Sequence, residues 1–517
     1  MANKTLFASL RDALIPQTNT VNSENAPGYA LAPKQALAQY AATGCFGRTF
    51  YATADEQLTR VLELCDAVDA EFVARSAVCA RTQSFMKDMP ALLCAWLAAR
   101  DPRLHEAVFA RVIDNARMLR TYVQILRSGV VGRKSLGTAP KRLVREWLAG
   151  RDEEVLFSSS AGQSPSLSDI VKMVHPKPAG AKREAFYGYM LGRSHDANAL
   201  PKLVMQFEQF KAGEALDVPD LPFMLLSALP LSHANWVSIA KNASWQTTRM
   251  NLNTFARHGV FEVPGLATVI AARLRDAGEI RRARVFPYQL LTAYQNCDAA
   301  VPEEVRNALQ DAMELAIANV PSIDGRVVVC PDVSGSMASP VTGHRRGSTT
   351  SVRCIDVAAL VAASVLRENP AATVLPFEQA VVSVDLNSRD SVMTIAGRLA
   401  SIGGGGTNCS APVRLLNLRK EKADLVIFVS DSESWVDQGR GRGTALLAEW
   451  SEFRQRNPKA RLVCLDVQPN QTTQAGERAD ILNIGGFSDQ VFEVISAFAS
   501  GQLEADHWIA RIEAVAV

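Results

Sequence analysis

No Cys-x-x-Cys pair occurs in this 517-residue chain, and its nine cysteines, at positions 45, 65, 79, 94, 297, 330, 354, 409 and 464, are odd in number. That spacing excludes a zinc ribbon and argues against a disulfide framework; reduced thiols in the cytoplasm are the simpler expectation. No run reaches the roughly eighteen apolar residues of a membrane span, and the opening Met-Ala-Asn-Lys-Thr-Leu-Phe lacks the apolar core of a signal peptide. No membrane partner is therefore expected. Alternating strand patterns are also missing over more than two hundred residues of the first half, and neither a nucleophile elbow nor a paired-carboxylate motif occurs anywhere. Hydrolytic catalysis has no support on these grounds.

Charge of one sign is scarce overall, with a formal net of +2, but it is unevenly spread. Residues 1–320 carry 36 Lys and Arg against 31 Asp and Glu, a net of +5, while residues 321–517 carry 19 against 22, a net of −3. Within residues 103–145 there are ten basic residues and two acidic ones, which favours a polyanionic partner.

From about residue 54 to 320 apolar residues recur at helical spacing, as at Leu58, Val61, Leu62, Leu64, Cys65 and Val68. Further segments of this kind follow near residues 90–99, 105–126, 140–147, 167–174, 181–191, 200–210, 223–229, 236–241, 247–258, 266–274, 287–294 and 302–320. Proline and glycine fall between them, and no repeat has a fixed period, so an irregular stack of helix pairs is expected to about residue 320. Beyond it, apolar runs alternate with helical ones. Strands are expected at residues 327–330, 373–377, 381–385, 425–429 and 462–467, and the alternation implies a parallel sheet in an α/β doubly wound domain over residues 321–517.

The second domain turns on Arg326-Val-Val-Val-Cys-Pro-Asp332-Val-Ser334-Gly-Ser336-Met337, a buried strand that ends in a loop of oxygen donors. One carboxylate and two hydroxyls at i, i+2 and i+4 suit a hard divalent cation such as Mg²⁺. Two other stretches end alike. Gly403-Gly-Gly-Gly-Thr407-Asn408 is too flexible for a regular element, and Asp424-Leu-Val-Ile-Phe-Val-Ser430-Asp431 is another apolar strand ending in a carboxylate. Ligands collect at the carboxyl ends of strands in such sheets, so Asp332, Ser334, Ser336, Thr407 and Asp431 form one candidate metal constellation. Taken singly, Asp, Ser and Gly also serve as turn and cap residues. No His or Glu base is placed beside Ser334, and Glu433 reads as an ordinary polar loop residue. The loop 339–353, with His344-Arg345-Arg346, is long, basic and rich in Gly and Ser.

The constellation resembles the metal-ion-dependent adhesion site of von Willebrand factor A domains. The resemblance implies that Asp332, Ser334, Ser336 and Thr407 hold the ion directly and Asp431 through water. In the first half, Gly28-Tyr-Ala-Leu with Gly47-Arg-Thr-Phe-Tyr51, Gly137-Thr-Ala-Pro-Lys-Arg-Leu-Val-Arg-Glu-Trp147, Leu167-Ser-Asp-Ile-Val-Lys-Met-Val-His175-Pro-Lys177-Pro178 and Val285-Phe-Pro-Tyr-Gln-Leu-Leu291 are similar to the TROVE module of the Ro autoantigen family, a ring of HEAT-like helix pairs. The order of these stretches, followed by an A domain, covers nearly the whole chain. The family implies binding of Y-type small noncoding RNA and of single-stranded ends of misfolded or damaged RNA, in RNA quality control alongside an exoribonuclease. The chain itself is expected to be a monomer and not an enzyme.

A helix entered at Pro140 puts Lys141 and Arg145 on one face, with Arg142 beside them. In the family this helix faces the ring opening. His175 matches the family's RNA-contacting histidine, with Lys177 following; a histidine at a helix end also caps carbonyls. Arg249, Arg257 and His258, on a second helix, are further RNA-binding candidates, whereas Trp147, Trp236 and Trp245 read as core. Where relatives carry a basic helix before the histidine segment, this chain has an uncharged stretch at residues 157–166, so contacts of Y RNA on the outer surface are expected to differ. A second function fits the same residues, a protein-assembly factor whose ion site grips a partner carboxylate while the helical half is a scaffold.

Overall fold

The computed structural model describes residues 16–43, 52–161, 165–283, 285, 287–317, 320, 322–341, 352–436, 443–468, 471–476, 478–485, 490–501 and 507–517. The stretch Gly47 to Tyr51, part of the 157–166 segment and His344, Arg345 and Arg346 lie outside the described residues. No described helix is long and apolar enough to cross a membrane. The eight described cysteines are free thiols, all buried but the half-buried Cys297.

Two compact units emerge, and neither is a single run of chain. One comprises Asp69–Leu274, Cys297–Ala308 and Val515–Val517. Its described residues contain helices and no strand. Short polar residues open the helices by accepting backbone N–H groups: Asp69 before Ala70–Thr82, Asp101 before Pro102–Val112, Asn115 before Ala116–Ser128 and Asp152 before Glu153–Ser158. These caps also correct two expectations. The helix expected over 105–126 is two helices, because Asn115 starts a new one. The helix expected over 247–258 breaks at Asn251, which has non-helical torsions and donates its side-chain amide to the Thr247 carbonyl.

Successive helix pairs are tied by one recurrent device. A long donor side chain reaches a carbonyl about one pair away in sequence: Arg133 to Ala98 at 2.6 Å, Arg151 to Asp114 at 3.0 Å, Arg183 to Leu148 at 3.0 Å and Arg273 to Ala240 at 2.8 Å. The indoles of Trp147 and Trp245 do the same to Ile113 and Leu274, and both tryptophans are buried. Helix ends leave carbonyls without partners, and these side chains supply the donors. Arg183 does most, since it also bonds the Arg151 carbonyl at 2.6 Å and the Glu153 carboxylate at 2.6 Å.

The other unit comprises Met1–Val68, Arg275–Asn296 and Leu309–Ala514. Its five-stranded parallel sheet has the order β4-β3-β5-β6-β8, with β3 at Val327–Pro331, β4 at Thr373–Val374, β5 at Leu425–Ser430, β6 at Arg461–Asp466 and β8 at Ile481–Gly485. β3 and β5 are buried at every position, as continuous apolar runs predict. The strand expected over 373–377 is shorter than that. The one expected over 381–385 is absent, with a single bridge between Phe377 and Val381 in its place. A small antiparallel sheet was not foreseen: β1 at Thr20–Val21, β2 at Pro27–Ala30 and β7 at Thr472–Thr473 in the order β1-β2-β7. It brings Tyr29 into the core beside Val328, Phe428 and Trp450. Residues 16–43 thus belong with the sheet, whereas a cut at residue 320 would assign them to the helices.

Replacing Arg183 by alanine strands the buried Glu153 charge and the carbonyls of Leu148 and Arg151. Urea unfolding of the full chain is expected to show a loss of about 3 kcal/mol in the helical transition.

Candidate metal centre and nucleic-acid interface

β3, β5 and β6 run parallel and finish at one edge of the sheet in Asp332, Asp431 and Asp466. The first loop folds back on its own carboxylate: the Ser334 N–H donates to Asp332 Oδ1 at 2.8 Å, and the Ser334 and Ser336 hydroxyls lie 3.3 Å apart. Ser430, at the end of β5, donates its hydroxyl to Asp332 Oδ2 at 2.5 Å. Ser336 in turn donates to Asp431. Four of the five expected metal ligands are therefore joined by direct hydrogen bonds.

Thr407 reaches the cluster through its loop. Gly403 and Gly404 take φ values of 136° and 120°, a region that other residues rarely adopt. Gly405 accepts the Gly335 N–H at 2.9 Å. A Cβ on Gly406 would sit 2.6 Å from the Trp435 ring, so only glycine admits that approach. The Thr407 carbonyl then accepts the Trp435 and Val436 N–H groups at 3.1 and 3.2 Å. Trp435 and Val436 are themselves exposed, giving the cluster an apolar rim.

Two further carboxylates complete the site: Asp466, which the sequence reading did not single out, and Glu433, which is no ordinary polar loop residue but is buried. Asp466 is fully buried and accepts the Ser432 hydroxyl at 2.5 Å. Glu433, 1% exposed, accepts the Ser23 N–H at 2.7 Å and the Ser23 hydroxyl at 3.2 Å. Asn22 donates to the Ser434 carbonyl at 2.7 Å, and Gln39 lies 3.5 Å from Asp466 Oδ2. The β1–β2 hairpin and helix Pro33–Thr43 thus brace the cluster. Asp466 had a legible signal, since it ends an apolar strand as Asp332 and Asp431 do. The hairpin had none within reach of local patterns.

Burial, and then the charge of Asp431, push Asp332 up to about 7. Burial raises Asp431 as well, lifts Glu433 to about 8 with help from Asp431, and lifts Asp466 to about 7. Such crowding of acids is relieved by protons or by a cation, and hydroxyls beside carboxylates are donors that hard divalent ions accept. The donor set fits a Mg²⁺-type ion. Among the described residues no cluster of three or more His, Cys, Asp or Glu side chains has a metal-binding arrangement, so this one depends on its hydroxyls.

In the helical unit, helix Thr138–Ala149 carries Lys141, Arg142 and Arg145. Arg145 donates to the Val174 carbonyl at the end of helix Leu167–Val174. That bond sets it next to His175, which is exposed and caps the helix with a left-handed backbone whose N–H bonds the Val171 carbonyl. The capping role is thus played by the His175 main chain. Lys177 is exposed beyond it. Arg142 is ion-paired to Glu106 at 2.7 Å and Glu146 at 3.0 Å. Arg249 and Arg257 lie on the separate helices Trp245–Met250 and Leu252–Arg257, and exposed His258 stacks on Trp236 at 4.0 Å.

Residues 326–499 match the family model of the Ro60 von Willebrand factor A domain. The RNA-binding protein RO60 of Deinococcus radiodurans is 26% identical over 550 aligned positions, covering 97% of this chain and 100% of that protein. RNA-binding protein RO60 of Caenorhabditis elegans is 23% identical over 245 residues, 45% of this chain and 37% of the relative. The fold is similar to the crystal structure of the Deinococcus radiodurans Ro (RSR) protein, with a TM-score of 0.62 at 20% identity over 91% of this chain and 100% of that one.

Asp332, Glu433 and Asp466 all have folded-state pKa values above their unfolded ones. The folded chain then holds more protons between about pH 4 and pH 8, so stability present at pH 5 is lost as pH rises toward 8. In metal-free buffer the midpoint of thermal unfolding should fall by on the order of 5 °C across that window. Asp466→Asn should flatten the fall, as followed by scanning calorimetry.

Proposed function

We propose that this chain is a Ro-family RNA-binding protein, given the match of residues 326–499 to the Ro60 A domain and the similarity over 97% of the chain to an RNA-binding protein RO60, and that it captures single-stranded 3′ ends of misfolded or damaged RNA. The observation that carries this reading is the kinship over 97% of the chain with a protein named for RNA binding. The basic helix end supports it, because Lys141, His175 and Lys177 sit on or beside the two helices that Arg145 ties together. Backbone phosphates are recognised by such cations without regard to base. Arg142 is held by two exposed carboxylates, pairs weak enough to exchange for a phosphate. A Y-type RNA binds the same protein in this proposal, and an exoribonuclease partner degrades what is captured. The chain itself performs no chemical step and works in the cytoplasm as a monomer.

For the A domain we propose that Asp332, Ser334, Ser336 and Thr407 hold Mg²⁺, with Asp431 acting through water. Bound there, the ion offers a coordination position to a carboxylate of a partner protein. The buried, mutually repelling acids support this, as does the exposed Trp435 and Val436 rim.

Filter binding of a structured RNA with and without a 3′ single-stranded tail tests the first proposal. The tailed RNA should bind at least tenfold tighter, with affinity falling steeply in salt. Lys141→Glu with Lys177→Glu should weaken binding about tenfold for every tail sequence and lower the salt slope by roughly two. Equal affinities without a salt slope would reject the reading. For the second, Mg²⁺ at a hundred times its Kd should stabilise the folded chain by about 2.7 kcal/mol. Asp332→Ala should abolish that increment while leaving RNA affinity unchanged.

A further inference from the structure

The β4 edge of the sheet is left open in an unusual way. After β4 the chain turns back at residues 378–380, with the Glu378 N–H on the Ala380 carbonyl at 3.0 Å and the Val382 N–H on the Pro376 carbonyl at 2.7 Å. It then runs on to Asn387 without rejoining a ladder. Its side chains nevertheless alternate as in a strand: Val382, Val384 and Leu386 are half-buried, while Ser383, Asp385 and Asn387 are exposed. Among the described residues, Ser383, Val384, Asp385 and Leu386 donate no backbone hydrogen bond. An extended segment with free amides is a template for another strand.

Beside it lies a groove of about 510 Å³, bounded on one side by Val374, Val382 and Val384 and on the other by helix Ala411–Arg419. Leu418 projects from that helix and is 74% exposed, a large apolar side chain with nothing to cover it. The charged side chains lining the groove are Arg414 and Arg419, and no carboxylate joins them there. Arg419 meets Glu421 at 3.5 Å in an exposed pair. No aromatic ring lines the groove, so it offers a nucleobase nothing to stack on.

We propose that this edge docks an extended acidic peptide of a partner protein, one whose groove-facing side chains, every second residue, include both apolar groups and carboxylates. The peptide adds as a strand beside residues 382–387 and turns one face to the groove, where its apolar side chains lie on the valines and Leu418 and its carboxylates, on that same face, meet Arg414 and Arg419. Main-chain bonds supply affinity and the groove supplies selectivity. This surface is separate from the RNA reading and stands whichever way that reading is decided.

The test uses the full chain and a fluorescein-labelled octapeptide in which valine and glutamate take turns at every second position with serine between them, followed by fluorescence anisotropy. Saturable micromolar binding is expected, weakened at least tenfold by Leu418→Asp and by Arg414→Glu, two exposed positions that leave the fold intact. The same octapeptide N-methylated at alternate amides should not bind. Amide exchange at residues 383–386 should be fast in the free chain and slowed at least tenfold by the peptide at alternate residues of that stretch. The proposal is overturned by no saturable binding, by a lysine-for-glutamate octapeptide that binds as tightly, by unchanged affinity in both variants, or by a single-stranded oligoribonucleotide that displaces the peptide.

Discussion

Burial of several acids at one end of a sheet is the constraint from which most of the second unit follows. Asp332, Asp431 and Asp466 end neighbouring strands, and Glu433 follows two residues after Asp431, so like charges meet where solvent is excluded. Only neutral donors or a cation can reconcile them. The surrounding chain accordingly consists of hydroxyls, with Ser334, Ser430 and Ser432 each donating through nitrogen or oxygen to a neighbour in the cluster. Ser432 even accepts a left-handed backbone, at φ 58°, to place its hydroxyl on Asp466. The β1–β2 hairpin belongs to the same solution, since Ser23 satisfies both oxygens of Glu433.

The helical unit obeys a different economy of charge. Arg111, Arg120, Arg133 and Arg145 all donate to carbonyls, and Arg142 to carboxylates, so half of the ten basic residues in 103–145 already have partners. A planar guanidinium can hold two carbonyls at once, as Arg120 does with Ser159 and Ala161, which a lysine does less well. Arginine therefore serves largely as mortar between helix pairs. The side chains of half-buried Lys141 and exposed Lys177 make no such bond among the described residues.

What was legible in the sequence had a local cause. Asp332 and Asp431 stood out because fully apolar strands end in them, and the glycine run because positive φ and the approach of Trp435 demand it. Asp466 shows the same strand-end pattern but lacks a following run of Ser and Gly, so its local sequence marks it less clearly. The helix breaks at Asn115 and Asn251 were hidden by apolar periodicity that continues across them, although asparagine is the residue that caps and interrupts. Arg145 is legible as a basic residue, yet its bond to Val174 depends on a residue 29 positions away. The small sheet was beyond local reading altogether, being made of two- and four-residue strands.

Strand β2 meets β7 across more than four hundred residues, with Tyr29 opposite Thr473, and Gln39 packs against Gly485. On the ribosome the hairpin emerges first and its partners last. At about 5–20 residues per second that interval is roughly 20–90 seconds. For that time Tyr29 and the apolar face of helix Pro33–Thr43 have no core to enter, and they are natural clients for a holding chaperone on the nascent chain. A C-terminal piece translated by itself from residue 321 would have the opposite deficit, with a seam along β7 and no strand to close it.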